Sequence, residues 1–242
     1  MLIKYLGLVA LVSLALIIGL SPVAAQDADP YQSLRESMVT RQLQARGISD
    51  PKVLAAMNRV PRHRFVPERL APLAYEDHPL PIGSGQTISQ PYIVALMTEW
   101  AQLKPGDKVL EVGTGSGYQA AVLAELTDKV WTIDIRPELV VKAAGTLKTL
   151  GYSRVQVKSG DGYLGWPEAA PFDAILVTAA ATRVPPVLEQ QLREGGRLII
   201  PLGPEGGVQT LTRFRKVQGK IQEEKNVPVS FVPLVQPQEG GK

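Results

Sequence analysis

The segment Leu110-Glu111-Val112-Gly113-Thr114-Gly115-Ser116-Gly117-Tyr118 concentrates the chemistry of this chain. Its alternating glycines let the backbone turn sharply and admit a ligand where a Cβ would stand in the way. The segment reads as the end of a strand and the start of a helix, and a helix N-terminus favours negative groups. A dinucleotide fingerprint, GxGxxG, needs its last small residue at position 118, which is Tyr. A phosphate loop fails too, because no Gly-Lys-Ser/Thr follows. What stands is a GxGxG turn with Glu111 two residues before it, a carboxylate suited to a sulfonium or amino group rather than a pyrophosphate.

Two more acids follow two more candidate strands. Asp134 lies 21 residues beyond Gly113, where a ribose-binding carboxylate is expected in such folds. Asp161-Gly162 follows the third strand and is placed to meet an adenine edge. Singly, each has a plain alternative: turn chemistry at the glycines, a helix-start acid at Asp134, an ordinary turn at Asp161. Together they put three acids at the C-terminal ends of successive strands, where open α/β sheets bind ligands. That coincidence favours an S-adenosylmethionine site.

Composition narrows the remaining chemistry. The 242 residues contain no cysteine and two histidines, His63 and His78. A disulfide scaffold, a thiolate or His-rich metal site and a cysteine nucleophile are therefore excluded, and no metal is expected. Catalysis must rest on carboxylates, hydroxyls, backbone amides or a bound cofactor. The formal charge of +3, from 26 Lys+Arg against 23 Asp+Glu, comes without a basic block, so nucleic acid is not an expected partner. His63 and His78 read as surface or loop residues, and Arg62, Arg64 and Arg69 as a solvated face.

The elements that position these residues alternate. Strands are expected at 108–112, 130–135, 155–157, 172–177 and 197–201. Helices are expected at 118–126, 137–150 and 186–192. This pattern predicts an α/β fold, a doubly wound, mostly parallel Rossmann-like sheet. Strands at 208–214 and 220–234, with no helix between them, predict antiparallel pairing at the C-terminal end. Residues 27–62 form a helical lead-in, with Leu34, Met38 and Leu43 at roughly helical spacing, Gly47 closing a helix and Asp50-Pro51 opening the next. Residues 61–91, rich in Pro and Gly, are expected to be mostly loop, with a helix after Pro91. The lead-in and substrate loop, 26–91, and the core, 92–242, count as one domain.

Residues 1–25 read as an address. Lys4 precedes an apolar run from Tyr5 to Leu20, and Val23 and Ala25 are small residues before a cleavage point. This is the pattern of a secretory signal peptide, and the run is short for a spanning helix, which needs about 20 residues. An uncleaved anchor is the alternative. Export, or a periplasmic location, follows from the signal reading, and a start further in, such as Met38, gives a cytoplasmic form.

The chain closely resembles the protein-L-isoaspartate O-methyltransferases, from about Met38 to Val235. The resemblance is carried by Leu80-Pro81-Ile82-Gly83, Gln86-Thr87-Ile88-Ser89-Gln90-Pro91, Val109 to Tyr118, Gly160-Asp161-Gly162, Pro171-Phe172-Asp173-Ala174-Ile175, Thr178-Ala179-Ala180 and Phe231-Val232-Pro233-Leu234. It implies an enzyme that moves the methyl of S-adenosylmethionine to the free carboxylate of isoaspartyl residues in damaged proteins. The resulting ester collapses to a succinimide off the enzyme. By the same resemblance Ser89 is the active-site hydroxyl, beside Gln86, Thr87 and Ile88. Glu111, Gly113, Thr114, Gly115, Ser116 and Gly117 hold the methionine part of the cofactor. Asp134 and Ile135 meet the ribose, Asp161 and Gly162 the adenine, and Thr178 completes the site. Position 134 usually carries Glu in this family, so Asp134 is one methylene shorter. A monomer acting on isoaspartyl peptides is expected, with the peptide beside 86–91 and 229–234. Two alternatives remain open: a methyltransferase for another acceptor, and a non-catalytic exported binding protein on this scaffold.

Overall fold

In the computed structural model, which describes residues 29–236, the chain starts with α1 (Gln32–Ser37) and passes into a π-helical turn at Met38–Leu43 and a 3-10 turn at Gln44–Arg46. The leader expected at 1–25 lies outside the described residues. Leu34, Met38 and Leu43 are spaced by four and then five residues, and the five-residue step is that of the i→i+5 hydrogen bonds of a π turn. It lets Met38 and Leu43 both be fully buried, while Leu34 stays 44% exposed. α2 (Pro51–Arg59) opens as expected: Asp50 accepts from the Lys52 N–H at 2.8 Å, and Pro51 takes the first helical position.

The expected loop at 61–91 is more ordered than its composition suggests. It holds 3-10 turns at Arg62–Phe65 and Glu68–Leu73 and an antiparallel hairpin, β1 (Leu80–Gly83) with β2 (Gln86–Ile88). Ser84 and Gly85, with φ of 52° and 67°, form its two-residue turn, the geometry that suits the twist of a hairpin. Leu80, Ile82 and Ile88 face inward. Strands this short cannot display a readable period of two. Arg62 also departs from the solvated-face expectation. It is fully buried, its Nε donates to the Ala74 carbonyl at 2.7 Å, and its guanidinium lies 4.9 Å above the Tyr118 ring. Arg64 and Arg69 are exposed.

The remaining elements alternate: α3 (Pro91–Ala101), β3 (Lys108–Val112), α4 (Tyr118–Ala124), β4 (Lys129–Asp134), α5 (Pro137–Thr149), β5 (Gln156–Ser159), β6 (Phe172–Val177), α6 (Pro186–Gln191), β7 (Leu192–Leu202), β8 (Gln209–Val217) and β9 (Lys220–Val229). One sheet carries the order β5-β4-β3-β6-β7-β8-β9. Its first five strands are parallel, and β8 and β9 are antiparallel. Every residue of β6 is buried, as befits a strand covered on both faces.

Two strand boundaries differ from the sequence reading by five residues, the others by three or fewer. β7 begins five residues early, at Leu192, because Leu192 pairs with Phe172 before an irregularity carries the register to Arg197 opposite Ala174. β9 stops at Val229 instead of running to Leu234. Beyond it the chain leaves β8 and is stitched to the loop after β6: the Ala180 N–H donates to the Val232 carbonyl at 2.8 Å, and the Leu234 N–H to the Ala180 carbonyl at 2.7 Å. The chain therefore crosses the C-terminal edge of the sheet at the point where strand order reverses. From β3 the succession runs to β4 and β5 on one side; from β6 it runs to β7 on the other. Such a switch point opens a crevice outside the strand ends.

Candidate active site

The crevice is built on the glycine turn after β3. Gly113 has φ of 105°, and a Cβ there would collide with Thr178 Oγ1. Thr178, just past β6, donates its N–H to the Val112 carbonyl at 2.9 Å and its hydroxyl to the Gly113 carbonyl at 2.7 Å. From the other side the Gly113 N–H donates to the Ile133 carbonyl of β4 at 2.8 Å. Three strands thus hold one turn.

Two carboxylates flank it. Glu111, 1% exposed, accepts at Oε2 from the Thr132 hydroxyl at 2.6 Å. Burial pushes its carboxyl up to about 8, the Thr132 hydrogen bond opposes this, and the charge of Asp134 adds to it. Asp134 accepts from the Gly115 N–H at 2.8 Å and from the Arg136 N–H at 3.0 Å, so it braces the turn. The recess beside them is lined by Gln86, Thr87, Ile88, Ser89, Val94, Glu111, Gly113, Thr114, Gly115, Ser116, Tyr118, Gln119, Asp134, Thr178, Ala179 and Val232. Among the described residues, that lining holds two acids and no Lys, Arg or His. Gln119 gives its amide N–H to Thr98 Oγ1 at 2.8 Å, and its buried Oε1 has no protein partner. The donor set and sign of charge suit a cationic ligand with an amino group, so S-adenosylmethionine fits.

The hairpin and the tail cover this recess. Ser84 donates to Glu138 Oε1 at 2.8 Å, and Arg136 Nε donates to the Ser84 carbonyl at 3.2 Å, tying the hairpin turn to the start of α5. Thr87, Ser89, Thr178 and Val232 also line an adjoining recess with Pro79, Gln90, Ile93, Ser230 and Phe231. A third, with Gln86, Gly113, Asp134 and Ala179 in common with the first, adds Ile135, Arg136, Gly162 and Pro233 to Val235.

Gln86, Thr87, Ile88, Ser89, Glu111, Gly113, Thr114, Gly115, Ser116, Asp134 and Thr178 thus come together in one recess, and Ile135 and Gly162 in its neighbour. Gly117 and Asp161 line neither. Gly117 packs beneath the turn, where a Cβ would stand 3.3 Å from that of Ala143, and Asp161 Oδ1 caps its own turn by accepting from the Tyr163 N–H at 2.8 Å. Val94 and Tyr118 escaped the sequence reading because helical apolar spacing accounts for such residues as core, and Gln119 because a single amide on a helix carries no motif of its own. His63 and His78 stay outside the recess: His63 Nδ1 is 2.9 Å from the Tyr75 hydroxyl and its ring stacks on Tyr31, while His78 contacts Glu76 and the Pro79 carbonyl. Among the described residues, no group of three or more His, Asp or Glu side chains is gathered as a metal site would need.

Comparison with known proteins bears on the same residues. The model of the family "Protein-L-isoaspartate(D-aspartate) O-methyltransferase (PCMT)" matches residues 34–239. The chain belongs to this protein-L-isoaspartate O-methyltransferase family. A member from Opitutus terrae is 57% identical over 225 residues, covering 93% of this chain and 96% of its own. One from Gloeobacter violaceus is 58% identical over 204 residues, covering 84% of this chain and 100% of its own. Among solved structures, a protein-L-isoaspartate O-methyltransferase superposes with a TM-score of 0.75 at 31% identity, covering 84% of this chain and 66% of that one. A Plasmodium falciparum structure described as a putative member, in complex with S-adenosyl-L-homocysteine, gives 0.73 at 29%, covering 83% and 98%. The family match takes in the hairpin, the glycine turn and the tail that crosses the switch point.

Proposed function

We propose that the switch-point recess is where this chain moves the methyl of S-adenosylmethionine to the free carboxylate of L-isoaspartyl residues in damaged proteins and peptides. One observation carries the reading: Ser89 borders both the recess that holds Glu111 and the glycine turn and the adjoining recess lined by the tail. The first is the cofactor side and the second the acceptor side. S-adenosylmethionine supplies an electrophilic methyl group on a sulfonium.

The chain's own residues bind and orient the reactants. Glu111 and the turn residues Gly113 to Ser116 hold the amino-acid end, and Asp134 with Ile135 and Gly162 holds the nucleoside end. An isoaspartyl carboxyl has an ordinary pKa of about 4, so it arrives ionised and needs no base. This agrees with the absence of His and Lys from the lining. Ser89 orients that carboxylate with one hydrogen bond; holding cofactor and acceptor together in reacting geometry, the work of the whole site, is worth up to about 7–11 kcal/mol.

The acceptor side is open and bordered by Ser230 and Phe231, which suits a peptide segment better than a small molecule. Labelled methyl transfer to an isoaspartyl peptide and its aspartyl twin tests this, and methylation of some other acceptor with the isoaspartyl peptide ignored would replace it. The N-terminal pattern supports export of the mature chain from Gln26, and we propose that the mature chain acts as a monomer. Mass spectrometry of the native N-terminus checks the first, and light scattering in solution the second. A native start at Met38 would put the protein in the cytoplasm.

A further inference from the structure

Thr132 lies wholly buried on β4, directly opposite Glu111 of β3, and does not line the recess itself. Its hydroxyl is 2.6 Å from Glu111 Oε2 and 2.7 Å from Thr114 Oγ1. A threonine hydroxyl has one proton. Spent on an ionised Glu111, it leaves only lone pairs for Thr114, so Thr114 must donate to Thr132. The three side chains form a directed chain from the glycine turn through Thr132 to the buried acid.

Resting on the reading of this recess as the cofactor site, we infer that Thr132 is a positioning residue: its hydroxyl fixes the Glu111 carboxylate and the Thr114 side chain together and so sets how tightly the amino-acid end of the cofactor is held. Among the described residues, neighbouring elements offer Glu111 no substitute. β6 places Leu176 opposite it, and the titratable groups around it are Asp134 at the end of β4 and Tyr118 at the head of α4. Asp134 repels the ionised form, and the Tyr118 hydroxyl is directed to Met57. The Thr132 hydrogen bond is therefore the local interaction that favours ionised Glu111.

The test is Thr132→Val, which keeps the shape and the strand preference and removes the hydroxyl, beside Thr132→Ser, which keeps the hydroxyl. S-adenosylmethionine binding is titrated by calorimetry across neutral to alkaline pH, with kcat and KM taken for transfer to an isoaspartyl peptide. Thr132→Val is expected to weaken cofactor binding about tenfold or more, as loss of a hydrogen bond to a charged group does. It should raise the cofactor KM while kcat at saturation holds, and move the pH midpoint of binding upward. Thr132→Ser should bind like the wild type. Thr132→Val binding within about twofold of the wild type with an unmoved midpoint would overturn the inference, and so would Thr132→Ser falling as far as Thr132→Val. If the valine variant does not fold, Thr132→Ala reads the same hydroxyl. Glu111→Gln separates the two levels. If it leaves cofactor binding unchanged, the reading of the recess fails; if it weakens binding while Thr132→Val does not, only the role of Thr132 fails.

Discussion

Thr178 and Gly113 close on each other across the switch point: the threonine hydroxyl donates to the glycine carbonyl at 2.7 Å, in the space a Cβ at Gly113 would need. A residue at the end of β6 thus sets the shape of the turn that follows β3. The pair explains why this position is glycine twice over, by its φ of 105° and by the room Thr178 takes.

Gly113→Ala is therefore expected to lose about 1–3 kcal/mol of stability from strain and displacement of Thr178, and cofactor binding with it. Gly85→Ala is the comparison, since its Cβ meets nothing within 4 Å; it should lose less and keep binding. Thermal melts with and without S-adenosylmethionine check both.

Ser89→Ala should leave cofactor binding within about twofold and lower kcat/KM for an isoaspartyl peptide about 10–100-fold, the range of one hydrogen bond to a charged group. Calorimetry and steady-state transfer separate the two effects. A loss of cofactor binding instead would move Ser89 to the cofactor side.

Glu111 gives a pH prediction. Its folded carboxyl is raised from 4.5 to about 8, so between those values the folded chain holds a proton that the unfolded chain releases. Stability of the free protein from this group then falls as pH rises through that window. Glu111→Gln should flatten that fall and raise the melting temperature near about pH 9. It should also weaken S-adenosylmethionine binding, because the uncharged amide no longer attracts a cation. Melts across pH, with and without cofactor, read both signs.

Asp134→Asn keeps an oxygen for one backbone N–H but loses the charge. Asp134→Ala frees both the Gly115 and the Arg136 N–H groups. Cofactor affinity should fall in the order wild type, Asn, Ala. An Ala variant that binds as tightly as Asn would show that bracing of the turn contributes nothing.

Much of this was legible in the chain. The glycine turn, Glu111 and Asp134 were readable because strand, turn and acid follow a fixed spacing that the parallel fold imposes. The partners across the sheet were not. Thr132 shows in sequence as one more β-branched strand residue, and its contact with Glu111 exists only through the β3–β4 register. The hairpin at 80–88 was hidden by its short strands, and the end of β9 by an apolar run that continues past Val229 while the chain turns to Ala180. Asp161 follows β5 as its spacing predicts, and its Oδ1 accepts from the Tyr163 N–H, a local contact that spacing does not reveal.

The most direct test of the central claim is methyl transfer from labelled S-adenosylmethionine to two peptides of one sequence, one isoaspartyl and one aspartyl. Base-labile label on the isoaspartyl peptide alone is the predicted result. Cofactor binding with neither peptide labelled, or with both labelled equally, would contradict it.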